Sequence, residues 1–326
     1  MLSRTADHLF WMARYMERAE NTARILDVTY RLSLLPQNGE EVAAMWSGML
    51  KIMELQDAYL AKYPAYSTES VLEFMIFDRD NPGSIYRCLR ATRENAHAVR
   101  GTLTSELWET SNETWLKMRD FTVAKLLESG TGAFFEWVKY RSHLSRGVTI
   151  GTMLQDEALR FIRLGTFLER ADNTARILEV KYLNLLPGAD EETAHAADYY
   201  QWSALLQSVS AFEVYRKVYR DQITPLRVAE LLVLRADMPR SLARSMKEVY
   251  SNLTRVSNAR SAETERLAGE LESHLRFGRI ERIFEGGFRK YLEDFRDRIF
   301  DLLFKTLIKN HFLFAFHEIV WKHDQR

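Results

Sequence analysis

The segment MERAENTARILDV at residues 16–28 returns as LERADNTARILEV at residues 168–180. Ten of the thirteen aligned positions are identical, and the other three pair Met with Leu, Glu with Asp and Asp with Glu. Two charged segments this alike in one chain indicate an ancestral duplication. We therefore expect a pseudo-twofold fold with a paired site.

The similarity continues outside this segment at a nearly constant spacing. Trp46-Ser47 recurs 156 residues later as Trp202-Ser203, and the turn at residues 80–82 (DNP) recurs 157 residues later at residues 237–239 (DMP). A spacing that drifts so little places small insertions in loops. The sequence predicts one domain over residues 1–326, built from two repeats at about 1–150 and 151–326 that share a core.

The composition favours helices throughout. Glycine supplies 14 and proline 6 of the 326 residues, about 4% and 2%, against the roughly 7% and 5% of average proteins. Apolar residues recur at spacings of three and four, and no convincing alternating run bounded by glycine turns is present. We predict an all-α protein, a duplicated helical bundle.

The charge pattern excludes some classes of partner. Lys and Arg total 45, as do Asp and Glu, so no overall field attracts nucleic acid or an acidic membrane. The one arginine-rich stretch, residues 276–296, is interleaved with acidic residues and predicts a solvated helix face. We expect no nucleic-acid partner.

Membrane insertion and secretion are not expected either. The most apolar stretch, residues 299–320, is interrupted by charged and polar residues and is too polar for a membrane span. The N-terminus carries Arg4, Asp7 and His8 where a signal peptide would need an apolar run. The single Cys88 fits a reducing compartment as a buried thiol, so a cytoplasmic protein is expected. The phenylalanines between Phe304 and Phe316 predict a helix that either packs across both repeats or presents a docking face.

The repeated segment forms a helix with an unusual polar line. Around its apolar packing arc, Ala19 and Ala23 are small enough to let another helix approach closely. Glu17, Asn21 and Arg24 share a different line, which is bracketed by apolar residues at both ends, so we expect this line to be buried. The second copy repeats the pattern with Glu169, Asn173 and Arg176.

Buried charge on this scale admits two interpretations. Desolvation costs several kcal/mol per ion unless each ion is paired and hydrogen-bonded. In the structural interpretation, Glu17 pairs with Arg176 and Arg24 pairs with Glu169 across the pseudo-twofold axis.

In the second interpretation the same residues form a ligand site. The arginines fork onto a carboxylate or phosphate, and the glutamates bind an amine or Mg²⁺. Glu17 and Glu169 are then the candidates for a general base with a pKa raised by burial. Arg18 and Arg170, about 100° around the helix from their glutamates, are expected to meet a neighbouring helix or an outside partner. The candidate binding residues are Arg14, Glu17, Arg18, Asn21, Arg24, Glu169, Arg170, Asn173 and Arg176.

A metal centre is not predicted. Glu94 and His97 have the Glu-x-x-His spacing found in di-iron bundles, but a duplicated bundle should carry it twice, and the matching positions are Ser251 and Thr254. The chain has no glycine-rich phosphate loop, nucleophile elbow or zincin helix. We therefore predict no cofactor.

Several stretches closely resemble the bacterial alpha-E family, which is named for an all-helical domain with a Glu-Arg motif. The resemblance is strong to about Pro239 and weaker to the end of the chain. One departure is Thr166, where the family is expected to carry an arginine matching Arg14. The resembling segments are LSRTADHLFWMARYMERAENTARILDV (2–28), the DNPGSI turn with RATREN (80–95), SELW (105–108) and IGTMLQDEALRFIRLGTFLERADNTARILEVKY (150–182).

The resemblance implies which genes lie nearby more than it implies a particular reaction. Members of the family are encoded beside, or fused to, circularly permuted ATP-grasp proteins resembling carboxylate-amine ligases, and near transglutaminase-like proteins. The implied partners are an ATP-grasp ligase-like protein and a transglutaminase-like protein. The favoured function is a non-catalytic accessory or scaffold subunit of a peptide-forming or peptide-modifying system. The alternative is an enzyme or ligand-binding protein that uses the paired Glu/Asn/Arg sets to bind an amino acid, peptide or phosphorylated intermediate.

Overall fold

The computed structural model describes residues 1–34, 38–183, 191–258 and 261–309, without the side chains at 127, 129, 180–183, 191–198 and 304–309. The described residues form sixteen α-helices and no β-strand, which confirms the all-α class. The question of what the phenylalanines from Phe304 to Phe316 contact lies outside the described side chains. The helices are α1 (Ser3–Ser33), α2 (Gly39–Ile52), α3 (Gln56–Leu60), α4 (Thr68–Ile76), α5 (Ile85–Ala98), α6 (Ser105–Met118), α7 (Val123–Ser129), α8 (Thr131–Thr152), α9 (Glu157–Leu183), α10 (Glu191–Ser208), α11 (Phe212–Tyr219), α12 (Pro225–Val233), α13 (Leu242–Leu253), α14 (Ala262–Arg276), α15 (Ile280–Glu285) and α16 (Phe288–Lys309).

The two longest helices, α1 and α9, pack against each other and contain the repeated segments. They run in the same direction, because their contacts occur in the same order: Met1 with Glu157, then Phe10 with Gly165, then Arg18 with Glu169. Their backbones touch at Gly165, where a Cβ atom would lie 2.2 Å from the carbonyl oxygen of Phe10. The predicted small packing residues Ala19 and Ala23 are fully buried, and so are Ala171 and Ala175 at the matching positions of α9.

Further helices flank this central pair on both sides. α5 and α8 pack on α1, while α13 and α16 pack on α9. From α8, Lys139 pairs with Asp27 at 2.9 Å. From α16, Arg296 pairs with Glu179 at 2.6 Å, and its side chain is only 12% exposed. This arginine therefore does not lie on the solvated helix face that the sequence predicts.

Local structures recur at the spacing of the repeated sequence. α4 and α12 are nine residues long, begin 157 residues apart, and are capped by the hydroxyls of Ser67 and Thr224. Ser84 and Ser241 cap α5 and α13 in the same way. The indoles of Trp46 and Trp202 are both fully buried.

Two non-glycine residues with positive φ end α2 and α10. Glu54 has φ of 55° and Ser210 has φ of 53°, a conformation that commonly terminates helices. The residue after each of them donates its backbone N–H to the carbonyl oxygen five residues earlier, Leu55 to Leu50 and Ala211 to Leu206. These turns bring the Glu54 and Ser210 side chains to the central helices.

The described part of the chain contains no helix with the length and apolar character that crossing a membrane requires. The side chain of Cys88, the single cysteine of the chain, is a buried thiol, as expected from the sequence.

Candidate functional site: the Glu-Arg networks between α1 and α9

Each Glu-Arg motif is paired with the other copy of the motif. Arg170 donates from Nε and Nη2 to the two carboxylate oxygens of Glu17, at 2.8 and 2.9 Å. Arg18 donates from the same two nitrogens to Glu169, at 2.6 and 2.9 Å. Both arginines therefore make the two-pronged contact that the planar guanidinium favours with a carboxylate. Arg18 and Arg170 meet the neighbouring helix, one of the two options expected for them.

An aromatic ring lies beside each of these guanidinium groups. The ring of Tyr15 is 5.7 Å from Arg18, and the ring of Phe167 is 5.1 Å from Arg170. In both cases the aromatic residue precedes its arginine by three positions on the same helix. A cation over an aromatic face is stabilised by the ring quadrupole, so these rings help to orient the arginines.

The predicted cross-pairs between Glu17 and Arg176 and between Glu169 and Arg24 are wrong. Arg24 instead binds Glu20, and Arg176 binds Asp172, each at 2.8 Å and each one turn away on its own helix. The i,i+4 spacing makes these partners local. Glu20 is completely buried, so its pair with Arg24 is not a surface pair.

Arg24 and Arg176 use their remaining nitrogens to reach the turns after α10 and α2. Arg24 donates to the hydroxyl of Ser210 at 2.5 Å, and Arg176 pairs with the carboxylate of Glu54 at 2.5 Å. Each central helix is therefore tied to the left-handed turn that lies in the other half of the chain.

Two arginines that were not predicted complete the surroundings of Glu17. Arg146 on α8 donates to Glu17 at 2.9 Å and to Glu20 at 2.5 Å. Arg240, in the turn before α13, donates to Glu17 at 3.2 Å and also to Glu20. The sequence does carry a signal for them, because the matching positions of the other repeat have no arginine. Gly83 stands 157 residues before Arg240, and Leu303 stands 157 residues after Arg146.

The remaining candidate residues differ between the copies. Arg240 donates to the Asn21 oxygen at 2.8 Å, whereas Asn173 is buried without a side-chain hydrogen bond to any described residue. Arg14 donates to Glu169 at 2.5 Å. The position 152 residues after Arg14 is Thr166, whose hydroxyl donates to the carbonyl oxygen of Ile162 on its own helix.

We call the six residues connected through Glu17 and Glu20 the Glu17 network. Its two glutamates face four arginines, which leaves a formal charge of +2 on a largely buried group. The members are Glu17, Glu20, Arg24, Arg146, Arg170 and Arg240.

The second group, the Glu169 network, has no net charge among its described members. It consists of two neighbouring sets that no ion pair among the described residues joins, one in which two arginines face Glu169 and one in which two arginines face three carboxylates. The members are Arg14, Arg18, Arg176, Arg296, Glu54, Glu169, Asp172 and Glu179. The two networks therefore share a pattern of pairing and differ in charge.

The arginines keep the motif glutamates ionised. Burial alone acts to raise the pKa of Glu169, but Arg18 and Arg14 outweigh it and lower that pKa to about 2. Burial is likewise outweighed at Glu17, where Arg170 and Arg240 lower the pKa. Burial among other cations lowers the pKa of Arg240 to about 10. Low carboxyl pKa values are the opposite of what the general-base interpretation requires.

The Glu-x-x-His pair lies outside these networks. Glu94 pairs with Arg90 at 2.7 Å, and the His97 ring lies 5.6 Å from the Trp108 ring. Among the described residues no group of three or more His, Cys, Asp or Glu side chains is placed to hold a metal ion.

This geometry defines a class of helical protein in which the two longest helices are joined by reciprocal, buried Glu-Arg ion pairs. The chain belongs to the Alpha-E family, described as a predicted alpha-helical domain with a conserved ER motif, and the family model matches residues 1–313.

Its curated relatives include uncharacterized proteins of Mycobacterium bovis and of two strains of Mycobacterium tuberculosis. Each is 26% identical over 308 residues, which covers 86% of this chain and 33% of the relative. The chain thus spans about a third of the length of the curated relatives it matches. No solved structure matches it.

Proposed function

We propose that this chain is a non-catalytic, cytoplasmic accessory subunit of an ATP-grasp-type peptide or amide ligation system, which holds its partner protein on a rigid helical body. The observation that carries the proposal is the reciprocal pairing of Glu17 with Arg170 and of Glu169 with Arg18. The motif is used to join two helices, and its carboxylates are occupied by arginines of the same chain.

We also propose that this body consists of two sequence repeats around one core. The helix bounds and caps that recur at a spacing of 157 residues support this arrangement. So do the reciprocal contacts, in which each central helix binds the motif of the other and the turn of the other half.

The enzyme alternative receives less support. A general base working near neutral pH needs a pKa near that pH, whereas the pKa of Glu169 is lowered to about 2. Each oxygen of Glu17 and Glu169 also accepts at least one arginine N–H. A reacting substrate would have to displace these bonds.

The length of the relatives supports a partner domain. In the mycobacterial proteins the matching region makes up 33% of the chain, so there the helical region belongs to a longer polypeptide. We take the remainder of that polypeptide as the kind of protein that the helical region contacts.

The exposed face of α8 is the surface we assign to the ATP-grasp-type partner. Tyr140, Leu144 and Ile150 on this helix and Leu154 just after it are 67%, 44%, 62% and 78% exposed. Gly147 and Gly151 lie between them on the surface, and a Cβ atom at either position would meet nothing within 4 Å. Small residues flanked by apolar ones allow close approach of another element.

Co-elution with the ATP-grasp-type ligase encoded nearest to the gene tests the proposal. Ile150→Asp combined with Leu144→Asp places charge on the α8 face, and Phe277→Asp alters another exposed apolar residue, 75% exposed, as the control. We expect wild type and the control to bind equally and the α8 variant to bind at least about tenfold more weakly. Absence of a complex with wild type, or equal binding by all three proteins, would contradict the proposal.

A further inference from the structure

A cavity of about 90 Å³ lies against the Glu17 network, between α1, α8 and α9. Glu17, Arg146, Arg163 and Arg170 supply its charged wall. Ile150 lies at its rim and is 62% exposed, so the cavity reaches the surface beside α8.

The charge around this cavity is unbalanced. The Glu17 network carries a formal charge of +2 within a largely buried group. In the Glu169 network the charges of the two ion-paired sets, +1 and −1, cancel. Buried charge without a counter-ion is strongly unfavourable. An anion in the adjoining cavity would reduce this excess.

Two guanidinium groups in the cavity wall retain free donors. Arg163 pairs with Glu248 through Nη2 at 2.5 Å, but its Nε is buried and has no acceptor among the described residues. Arg146 uses Nη1 and Nη2 for Glu17, Glu20, Ser142 and His143, while its Nε makes no bond within the described ranges. Neither donor has an acceptor among the described residues, and an anion in the cavity would supply one.

The rest of the wall carries the apolar side chains of Met16, Ile162 and Phe167 and five hydroxyl side chains. Four of these hydroxyls already donate to oxygens of the chain, those of Thr92, Ser142, Thr149 and Thr166. A phosphate carries oxygens on all sides and would leave some of them against the apolar side chains. A carboxylate attached to a short carbon chain has one charged end and one apolar end, which matches the two kinds of wall.

We propose that this cavity binds the carboxylate group of a small organic acid or of a peptide, with the oxygens facing Arg146 and Arg163 and the attached carbons facing Met16, Ile162 and Phe167. A volume of 90 Å³ equals about three water molecules at ~30 Å³ each. It therefore holds the carboxylate and one or two carbons, and the remainder of a longer molecule extends past Ile150. Ile150 belongs both to the cavity rim and to the α8 face, so a docked partner would lie beside the cavity opening, but the binding of a small acid by this chain alone does not require that partner.

Calorimetric titration of the full chain tests the proposal. The probes are propionate, N-acetylglutamate amide, Ala-Ala with a free carboxyl group, and inorganic phosphate, each at constant ionic strength in chloride. We expect saturable binding of at least one carboxylate and weaker binding of phosphate. Binding of propionate identifies a free acid as sufficient, whereas binding of only the two larger probes identifies a peptide carboxylate.

Arg146→Gln and Arg163→Gln remove the proposed donors, and Arg90→Gln removes an arginine from an exposed pair as the control. Circular dichroism establishes that each variant is folded, and Arg163→Gln keeps the test available if Arg146→Gln is not. We expect each folded donor variant to bind the carboxylate at least about tenfold more weakly than wild type and the control to bind normally. Binding of no carboxylate, tighter binding of phosphate, or unchanged affinity in a folded donor variant would overturn the proposal.

Discussion

Arg170 lies opposite Glu17 with Nε and Nη2 aligned on the two carboxylate oxygens, at 2.8 and 2.9 Å. The same carboxylate also accepts from Arg146 and Arg240, so three cations share one anion. Glu169 faces only Arg14 and Arg18. The two glutamates occupy matching positions in the sequence but are paired with different numbers of arginines.

Glu17→Gln is expected to destabilise the fold more than Glu169→Gln does. Removing Glu17 raises the formal charge of its network from +2 to +3, and leaving buried charge unpaired costs about 3–5 kcal/mol. Glu169→Gln removes the carboxylate from two arginines instead of three. Urea unfolding followed by circular dichroism measures both changes. A larger loss for Glu169→Gln would contradict the assigned pairing.

Gly165→Ala is expected to destabilise the protein by about 1–3 kcal/mol, because the new Cβ would lie 2.2 Å from the Phe10 carbonyl oxygen and push α1 and α9 apart. Gly147→Ala is the matched control, since its Cβ meets nothing within 4 Å and alanine favours a helix by up to about 1 kcal/mol. Thermal unfolding of both variants should shift in opposite directions. Tolerance of Gly165→Ala would show that the two backbones do not touch there.

Glu169 should contribute to unfolding on the acid side. Its pKa in the fold is about 2, below the ordinary 4.5, so its stabilising contribution is present above about pH 4.5 and is lost as the pH falls toward 2. The full contribution is about 3 kcal/mol. The stability difference between wild type and Glu169→Gln, measured by urea unfolding from pH 5 to pH 2, should shrink over this range. A difference that stays constant would contradict the low pKa.

Asp7 should have the opposite effect. Burial raises its pKa to about 6 from 3.8, and its Oδ1 is buried without a hydrogen bond to any described residue. The ionised form therefore destabilises the fold as the pH rises from about 4 through 6. Asp7→Asn is expected to stabilise the protein by about 1–3 kcal/mol at pH 7.5 and to change little at pH 4. An equal effect at both pH values would exclude titration of Asp7 as the cause.

The sequence was sufficient to predict the helices and the burial of the Glu17 line. Helical periodicity is local, and apolar residues bracket the Glu17, Asn21 and Arg24 positions closely enough to indicate burial. The choice of partners was not predictable in the same way. Whether Arg24 binds Glu20 on its own helix or Glu169 on another depends on how the helices cross, and no pattern within one helix encodes that.

Arg146 and Arg240 were missed for a related reason. They lie 129 and 223 residues from Glu17 in the sequence. Arg146 sits in a segment with no motif of its own, and Arg240 follows the repeated turn at residues 237–239 without being part of the repeat. Their only signal is a mismatch at the repeat spacing, where Leu303 and Gly83 replace arginine. A mismatch of this kind suggests where two similar halves have acquired different properties.

The pairing of α1 with α9 also constrains the time course of synthesis. About 150 residues separate Glu17 from Arg170, and at 5–20 residues per second a ribosome needs roughly 8–30 s to add them. During this interval the first Glu-Arg motif has been made and its mate has not, so the centre of the molecule cannot close while the nascent chain is shorter than about half its length. Nascent chains of this protein should therefore stay open to proteases and chaperones until α9 has emerged, however much of the first half is already helical.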